Sequence, residues 1–193
     1  MYPIISISGF PGSGKSTLCR KISERLDVCY LDYDDFGTLT HASSDVLNDW
    51  LEAGMPYKAL FSDKFTKRVV EASRASPVII ETPLGPEHGE DGIKVSLSVW
   101  LEADLDIALL RALTKVFDDD WNSVQQLQSW LSNYYTAYQA FVRNSLLRQK
   151  RTIGARCDIT VEANRPIEEV VSETYTSITS RLGLPEFVSD AKP

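Results

Sequence analysis

A glycine-rich segment near the amino terminus limits the folds open to this chain more than any other feature. Residues 9–17 read GFPGSGKST and fit the pattern G-x-x-x-x-G-K-[ST]. The segment follows a β-branched run at residues 3–8 and precedes a helical pattern at residues 15–26. Glycines let such a loop turn tightly and point its N–H groups at a phosphate, and the following helix adds its positive dipole end. The segment therefore predicts a strand–loop–helix unit that binds a nucleoside triphosphate.

Each part of this loop has an expected role. Lys15 is expected to reach the β- and γ-phosphates, and the Ser16 hydroxyl is expected to bind Mg²⁺. The alternative is a glycine-rich turn with an incidental lysine, which the strand before the loop and the helix after it argue against. ATP and Mg²⁺ are thus the predicted cofactors, and the predicted nucleotide-binding residues of the loop are Gly9, Pro11, Gly12, Ser13, Gly14, Lys15, Ser16 and Thr17.

Apolar runs and helical patterns alternate along the rest of the chain, which predicts parallel strands connected by helices. The predicted strands are residues 3–8, 28–31, 78–81, 97–101 and 158–161. The predicted helices are residues 15–26, 44–53, 57–75, 105–116, 124–147 and 166–182. The expected fold is therefore α/β, a three-layer P-loop NTPase fold with a five-stranded parallel sheet covered by helices on both faces. Residues 1–183 form a single predicted domain, and residues 184–193 a loose tail.

The composition of the chain argues against some classes of binding partner. It has 193 residues, and its formal net charge of −7 argues against a non-specific nucleic-acid binder. No apolar run approaches the roughly 20 residues needed to cross a bilayer, and the amino terminus resembles no leader peptide. We therefore expect a cytoplasmic protein that binds neither membranes nor nucleic acid, and a homodimer is left open. The three cysteines are expected to be small buried apolar residues.

Carboxylates follow two of the predicted strands, where ligands gather in open α/β sheets. Asp32, Asp34 and Asp35 follow the second strand; Asp34 is the first choice for a general base, and Asp32 is the second choice and a candidate magnesium ligand. The alternative is a solvated turn with helix-capping aspartates. Glu81, which ends the third strand, is a further candidate for magnesium. Its alternative role is an edge carboxylate paired with a lysine or arginine.

Other charged and aromatic residues have weaker signals. Arg111 and Lys115 share one helix face and are equally compatible with stabilising transferred phosphate and with ordinary solvation. His88, in a glycine-rich loop, is expected to be exposed rather than catalytic. An apolar stripe along residues 124–141 predicts a core-facing helix, although its tyrosines could stack on a ligand ring. The basic residues that end this helix are Arg143, Arg148, Lys150 and Arg151. They could contact phosphate or an acceptor, but the favoured interpretation is that they stabilise the helix carboxyl end.

Taken together, these residues resemble the uridine kinase and phosphoribulokinase-like branch of small P-loop kinases. The glycine-rich loop matches the nucleotide site of that family, and Asp34-Asp35-Phe36 matches its D-x-F element. The resemblance implies that Asp34 activates an acceptor hydroxyl, that Glu81 is the acid of the third strand, and that the adenine lies near Asn164. The stretch at residues 113–118, similar in position to the family's lid, has one lysine and no Arg-Asp pair. Shikimate and gluconate kinases also have an acidic second strand end, so a polyol or cyclic hydroxy acid stays open as acceptor.

The leading hypothesis is an ATP- and Mg²⁺-dependent phosphotransferase that phosphorylates a hydroxyl of a small metabolite, such as a nucleoside or sugar. In this hypothesis Lys15, Asp34, Asp32, Arg111 and Lys115 are the catalytic candidates. Ser16, Glu81 and Asp32 are the metal ligands, and Asn164 contributes to the nucleotide site. The alternative is a nucleotide-binding regulatory or degenerate P-loop protein that does not phosphorylate an acceptor.

Overall fold

Five parallel strands form a sheet in the computed structural model, which describes residues 1–36, 49–50, 53–54, 56–90, 92–118 and 120–184. The strands are β1 (Ile4–Gly9), β2 (Cys29–Asp32), β3 (Val78–Glu81), β4 (Leu97–Glu102) and β5 (Ile159–Glu162). The helices are α1 (Lys15–Leu26), α2 (Asp63–Ala72), α3 (Leu105–Phe117), α4 (Val124–Ala137), α5 (Arg143–Thr152) and α6 (Ile167–Leu182). Most of the predicted helix at residues 44–53, and the predicted tail beyond residue 184, lie outside the described residues.

The order of the strands in the sheet is β2-β3-β1-β4-β5. In register, Ile5 of β1 pairs with Ile79 of β3 on one side and with Leu97 of β4 on the other. All six residues of β1 are buried, as expected for a strand covered on both faces. The chain leaves β3 on one side of β1 and re-enters the sheet as β4 on the other. The carboxyl end of β1, which continues into the glycine-rich loop, therefore lies at the switch point of the sheet.

Helices pack on both faces of this sheet. Leu18 and Ile22 of α1 join Tyr175 and Ile178 of α6 in one buried cluster with Ile5, Ile7 and Ile79. Phe65 and Val69 of α2 form a second cluster with Ile4, Val78 and Ile80. Alternate strand residues thus face opposite layers. The predicted three-layer fold with a five-stranded parallel sheet is confirmed.

The predicted helix at residues 57–75 is divided in two. Residues Tyr57–Leu60 form a 3₁₀ turn, and α2 begins only at Asp63. The break arises because Phe61 and Ser62 are extended, and the Ser62 hydroxyl accepts a hydrogen bond from the Phe65 N–H, as an N-cap does. Apolar spacing continues through this break, so periodicity alone did not reveal it.

The apolar stripe along the predicted helix at residues 124–147 does not face the core, so that prediction was wrong. The helical run is longer, because α4 continues through a π-helical segment, Tyr138–Val142, into α5. No residue of α4 is buried, and Val124 is 66% exposed. Instead Trp130 stacks on Tyr134, with ring centroids 5.1 Å apart and an interplanar angle of 7°. None of the helices in the described ranges is long and apolar enough to span a membrane.

Candidate active site

The glycine-rich loop connects β1 to α1 and packs closely against α3. Gly12 has a φ of 79°, and a Cβ there would lie 2.0 Å from the Ala108 carbonyl oxygen, so only glycine fits. The loop turns through a hydrogen bond from the Ser13 N–H to the Phe10 carbonyl, 3.0 Å long. No side chain caps α1 at Gly14. The first N–H groups of this helix are thus suited to a phosphate.

Two features of the loop fit a bound nucleoside triphosphate. The Ser13 hydroxyl is buried and has no hydrogen-bond partner among the described residues, although such groups are nearly always paired. The Lys15 ammonium donates to the Phe10 carbonyl oxygen at 3.0 Å, which holds the charge within the loop. A polyanion at this position would supply acceptors for both groups. The loop residues therefore fit the phosphates of ATP.

Glu81, at the end of β3, contacts the glycine-rich loop and the start of α1 through its carboxylate. The Ser16 hydroxyl donates to Glu81 Oε1 at 3.1 Å, and Lys15 Nζ lies 3.8 Å from the same oxygen. The alternative role for Glu81, an ion pair with a lysine, is thus also present. Burial raises the pKa of Glu81 above its usual value, while the charge of Lys15 opposes this rise. The carboxylate is held where it could share a cation with the Ser16 hydroxyl.

The residues around Ser16 are suited to magnesium, which needs few protein ligands, rather than to a metal ion whose ligands all come from the protein. No group of three or more histidine, cysteine or acidic residues is clustered for a metal within the described part of the chain. Magnesium usually binds one or two protein oxygens and completes its shell with phosphate oxygens and water. Ser16 and Glu81, with Asp32 on the neighbouring strand, offer this kind of partial oxygen set.

Tyr30 also contacts Glu81, a role that the sequence did not reveal. Its hydroxyl donates to Glu81 Oε2 at 2.7 Å and lies 3.2 Å from Asp32 Oδ2. Burial, the hydrogen bond to Glu81 and the charge of Glu81 all raise the pKa of Tyr30, so it stays protonated and remains a donor. Tyr30 thus fixes the two strand-end carboxylates beside each other. Only the pairing of β2 with β3 brings these residues together.

Asp32 and Asp34 are brought to the same edge of the sheet as Lys15. Asp32 Oδ1 accepts a hydrogen bond from the Asp34 N–H at 3.0 Å, which caps the 3₁₀ turn Tyr33–Asp35. Asp32 therefore has the capping role that was considered as an alternative. Asp34 is exposed and lines the same cavity as Lys15, whereas Asp35 is exposed and does not line it.

The cavity beside Lys15, called the main cavity below, has a volume of about 270 Å³. Its acidic edge carries Asp32, Asp34 and Glu81, next to Gly9 and Pro11 of the loop. Helix α5, which is distant from these residues in sequence, contributes Arg148 and Gln149 to the wall of this cavity. The sequence favours a helix-end role for Arg148 and leaves contact with an acceptor open; its place in this wall corrects the favoured role. The position of α5 over the sheet edge was not visible in the sequence.

A second cavity, of about 250 Å³, lies on the other side of the loop. Arg111 lines it together with Ser13, Gly14 and Thr17, and donates to the Ala163 carbonyl oxygen at 3.2 Å. Lys115, on the same helix, is exposed and lines neither cavity. Asn164 lines neither cavity; its side chain accepts a hydrogen bond from the Asp104 N–H at 3.3 Å. The structure thus brings Arg111 to the loop and leaves Lys115 and Asn164 outside the two cavities.

Three further expectations are corrected. His88 is fully buried, and its Nε2 lies 2.7 Å from Thr82 Oγ1, so it is not the exposed histidine that the glycine-rich loop suggested. Tyr134 of α4 contacts Trp130 and Tyr138, and neither these tyrosines nor the exposed Tyr135 lines the main cavity. Cys19 is buried as expected, whereas Cys29 and Cys157 are only partly buried; all three are free thiols.

Comparisons with known proteins agree with the observed architecture. The chain resembles the crystal structure of a shikimate kinase from Aquifex aeolicus, with a TM-score of 0.50, 18% identity, and coverage of 92% of this chain and 96% of that chain. It also resembles a gluconokinase from Sinorhizobium meliloti, with a TM-score of 0.51, 17% identity, and coverage of 94% and 91%. A sugar kinase from Janibacter has a TM-score of 0.54, 11% identity, and coverage of 96% and 97%. The chain therefore has the fold of P-loop kinases.

Sequence comparison gives a shorter match. No protein family profile matches the chain. The chain is 39% identical over 61 residues to a protein from Pyrococcus furiosus that is named "Putative adenylate kinase". This match covers 32% of the chain and 33% of the relative, so the chain spans about a third of the length of the curated relative it matches. The comparisons support the fold of P-loop kinases and do not single out the uridine kinase-like branch.

The raised pKa of Glu81 predicts an unusual effect of Glu81→Gln. In the folded protein Glu81 holds its proton at a pH at which the unfolded chain has released it. Folding stability therefore falls as the pH rises from the ordinary pKa of glutamate to the raised value, and stays lower above that value. Glutamine lacks this charge, so we expect Glu81→Gln to raise the Tm at pH values above this window. Each gain of 1 kcal/mol in the free energy of unfolding raises the Tm by about 2–4 °C for a chain of this size.

Thermal unfolding of both proteins across a pH series measures this effect. The matched control is Glu71→Gln, which removes the same charge from an exposed carboxylate paired with Arg68 on the surface. We expect the Tm difference between Glu81→Gln and the original chain to grow with pH, and that of Glu71→Gln to stay small. A Tm advantage of Glu81→Gln that shrinks or reverses as the pH rises would show that the ionised carboxylate stabilises the fold.

Proposed function

We propose that this protein is an ATP- and Mg²⁺-dependent kinase that phosphorylates a hydroxyl group of a small metabolite. The main cavity carries the proposal, because Lys15 of the phosphate loop, Asp32 at the end of β2 and Asp34 in the turn that follows line one space of about 270 Å³. That volume suits a small molecule. A protein that only bound a nucleotide would not need a cavity, separate from the nucleotide itself, that is lined by both the phosphate-loop lysine and the aspartates.

Each residue has a defined task in this proposal. Bound ATP supplies the phosphoryl group, and Mg²⁺ neutralises charge on its phosphates. The Asp34 carboxylate accepts the proton of the acceptor hydroxyl, which lies in the main cavity, while Lys15 stabilises negative charge that develops on the phosphoryl oxygens. Ser16 and Glu81 would hold the metal, with Asp32 beside them. Arg111 would bind nucleotide from the second cavity rather than act on the acceptor.

Several finer points belong to the same proposal. The acceptors suggested by the resemblance and by the related structures are a nucleoside, a sugar, a polyol or a cyclic hydroxy acid, and the adenylate kinase match adds a nucleotide. Lys115 and Asn164 stay candidates for a state with nucleotide bound. We further propose that residues 1–183 act as one cytoplasmic domain that needs no nucleic acid or membrane, with a homodimer left open.

Release of ADP from ATP and Mg²⁺ tests the proposal against a panel of nucleosides, nucleotides, sugars, polyols and hydroxy acids. We expect ADP that depends on one class of acceptor, together with a phosphorylated product of matching mass. ATP binding without acceptor-stimulated ADP release from any member would favour the second candidate, a regulatory or degenerate P-loop protein. The cations of α3 favour this second candidate, because neither is placed to stabilise a transferred phosphoryl group. Lys115 is exposed, and Arg111 donates to the Ala163 carbonyl oxygen.

A further inference from the structure

Apolar surface makes up much of the main cavity wall beyond its acidic edge. Six side chains of this kind contribute to it, namely Pro11, Trp50, Tyr57, Leu60, Pro83 and Leu146. They come from the phosphate loop, from the segment before α2, from the end of β3 and from α5. A ligand in this space is therefore covered mainly by rings and aliphatic groups, which favours burial of an apolar body.

The polar groups of the same wall are already bonded within the protein. Trp50 Nε1 donates to the Pro56 carbonyl at 3.1 Å, and Gln149 Nε2 donates to the Pro83 carbonyl at 2.9 Å. The Tyr57 hydroxyl shares a hydrogen bond with Thr152 Oγ1. Other wall groups have protein partners in the same way, namely Tyr33 with Leu60, Thr82 with His88, and Ser145 with Phe141.

These bonds disfavour a polyhydroxylated acceptor. A sugar or polyol would bring several hydroxyl groups into the cavity, and each would need a partner to replace water. The N–H and O–H donors named above are already engaged, so this part of the wall offers a sugar mainly the acceptor lone pairs of its hydroxyls and the remaining amide capacity of Gln149. An acceptor with one reacting hydroxyl, placed at the acidic edge, needs fewer partners.

Arg148 is the exception in the wall. Its guanidinium donates to the Gly54 carbonyl, and its Cζ lies 6.0 Å from the centre of the Tyr57 ring. A guanidinium has five N–H donors and stays charged at every relevant pH. Within the described ranges, no carboxylate forms an ion pair with Arg148. A partly buried cation in an apolar wall favours an anionic ligand group, which it can bind through two parallel hydrogen bonds.

We propose that the acceptor is an alcohol with an aromatic or similarly flat apolar body and one anionic group that pairs with Arg148. This inference rests on the proposed function, since it assigns the acceptor of the same site. The hydroxyl of such a molecule reaches Asp34, its ring packs among Trp50, Tyr57 and Leu146, and its anion reaches Arg148.

Three probes separate the parts of this inference. The first is 4-(hydroxymethyl)benzoate, which has a ring, a hydroxyl and an anion. The second is benzyl alcohol, which lacks the anion, and the third is gluconate, which has an anion and many hydroxyls but no ring. We expect kcat/KM in acceptor-dependent ADP release to be at least 10-fold higher for 4-(hydroxymethyl)benzoate than for either of the others. A preference for gluconate would overturn the inference and leave the kinase proposal intact.

Arg148→Gln tests the anion contact, and Arg151→Gln is its matched control on the same helix, because Arg151 is exposed and does not line the cavity. Loss of one charge-assisted contact predicts a 10- to 100-fold drop in kcat/KM for 4-(hydroxymethyl)benzoate in Arg148→Gln, and little change in Arg151→Gln. The drop for benzyl alcohol should be much smaller. Equal drops for both probes would overturn the role of Arg148 as an anion partner.

Binding measured by calorimetry without nucleotide separates this inference from the kinase proposal. If 4-(hydroxymethyl)benzoate binds and Arg148→Gln weakens it at least 10-fold, the ligand class is supported even when no ADP is released. If it neither binds nor reacts, while the protein still binds ATP, the inference is overturned. Circular dichroism of both variants establishes that they are folded.

Discussion

Lys15→Ala is expected to lower acceptor-dependent ADP release by roughly 10²- to 10³-fold, the loss typical of removing one group that stabilises transition-state charge. Lys15 is the cation within the phosphate loop, and its ammonium is held by the Phe10 carbonyl and near Glu81. Alanine removes the charge that offsets the negative phosphoryl oxygens. Nucleotide affinity should fall as well, because the same charge attracts the phosphates. Initial rates with saturating acceptor, together with titration of ATP, measure both effects.

The loss of Lys15 also leaves Glu81 without its nearby cation, so instability must be separated from lost chemistry. Lys21→Ala is the matched control, because Lys21 lies on the same helix and forms an exposed ion pair with Glu168. We expect this control to retain activity. The double variant Lys15→Ala/Glu81→Gln removes the uncompensated carboxylate and should regain stability but not activity. Activity of Lys15→Ala within threefold of the control would refute the assignment of the phosphate loop.

The nucleotide half of the site could be predicted from sequence because its determinants are local. The loop, its lysine and the helix that follows are contiguous, and the observed helix Lys15–Leu26 matches the prediction. The β3 bounds, Val78–Glu81, also match, because a short run of β-branched residues ends there at an acid. Strand ends in a parallel sheet meet at one edge, so the proximity of Asp32 and Glu81 followed from the predicted fold.

The acceptor half could not be predicted because tertiary packing assembles it. Arg148 enters the cavity wall only because the helical run from Val124 continues past residue 147 and places α5 beside Pro83, where Gln149 bonds the carbonyl oxygen. Tyr30 of β2 contacts Glu81 of β3, and these two residues are 51 positions apart in sequence. A hydrophobic pattern records which residues share a face and contains no information about what lies opposite them.

The same limit explains the errors at α4 and His88. The stripe along α4 has helical spacing, but its aromatic rings cover one another, as Trp130 and Tyr134 do, so it never reaches the sheet. His88 follows several glycine and proline residues that suggest an exposed loop. Its ring is nevertheless buried, because Thr82 offers a hydrogen bond and Phe65 of α2 packs 5.9 Å from it. Tertiary contacts overrode local composition in both places.

Asp34→Asn is expected to preserve ATP binding while turnover falls by about 10²- to 10⁴-fold, the usual contribution of general acid–base catalysis. Asparagine keeps the size of the side chain and the backbone N–H that donates to Asp32, so the 3₁₀ turn at the end of β2 should persist. It cannot accept the proton of the acceptor hydroxyl. Single-turnover rates with bound ATP and acceptor measure the chemical step, and calorimetry measures nucleotide affinity.

Asp35→Asn is the matched control for this prediction, because Asp35 is the next residue, has the same charge and does not line the main cavity. Its turnover should stay within about twofold of the original chain, since exposed charges at this distance are screened by solvent. Asp32→Asn is expected to lower magnesium affinity as well as turnover, because its carboxylate lies beside Glu81 through Tyr30. If Asp34→Asn retains turnover within a few-fold while Asp32→Asn loses it at saturating magnesium, the base is Asp32. The acceptor hydroxyl would then lie deeper, against β2, than the cavity edge at Asp34.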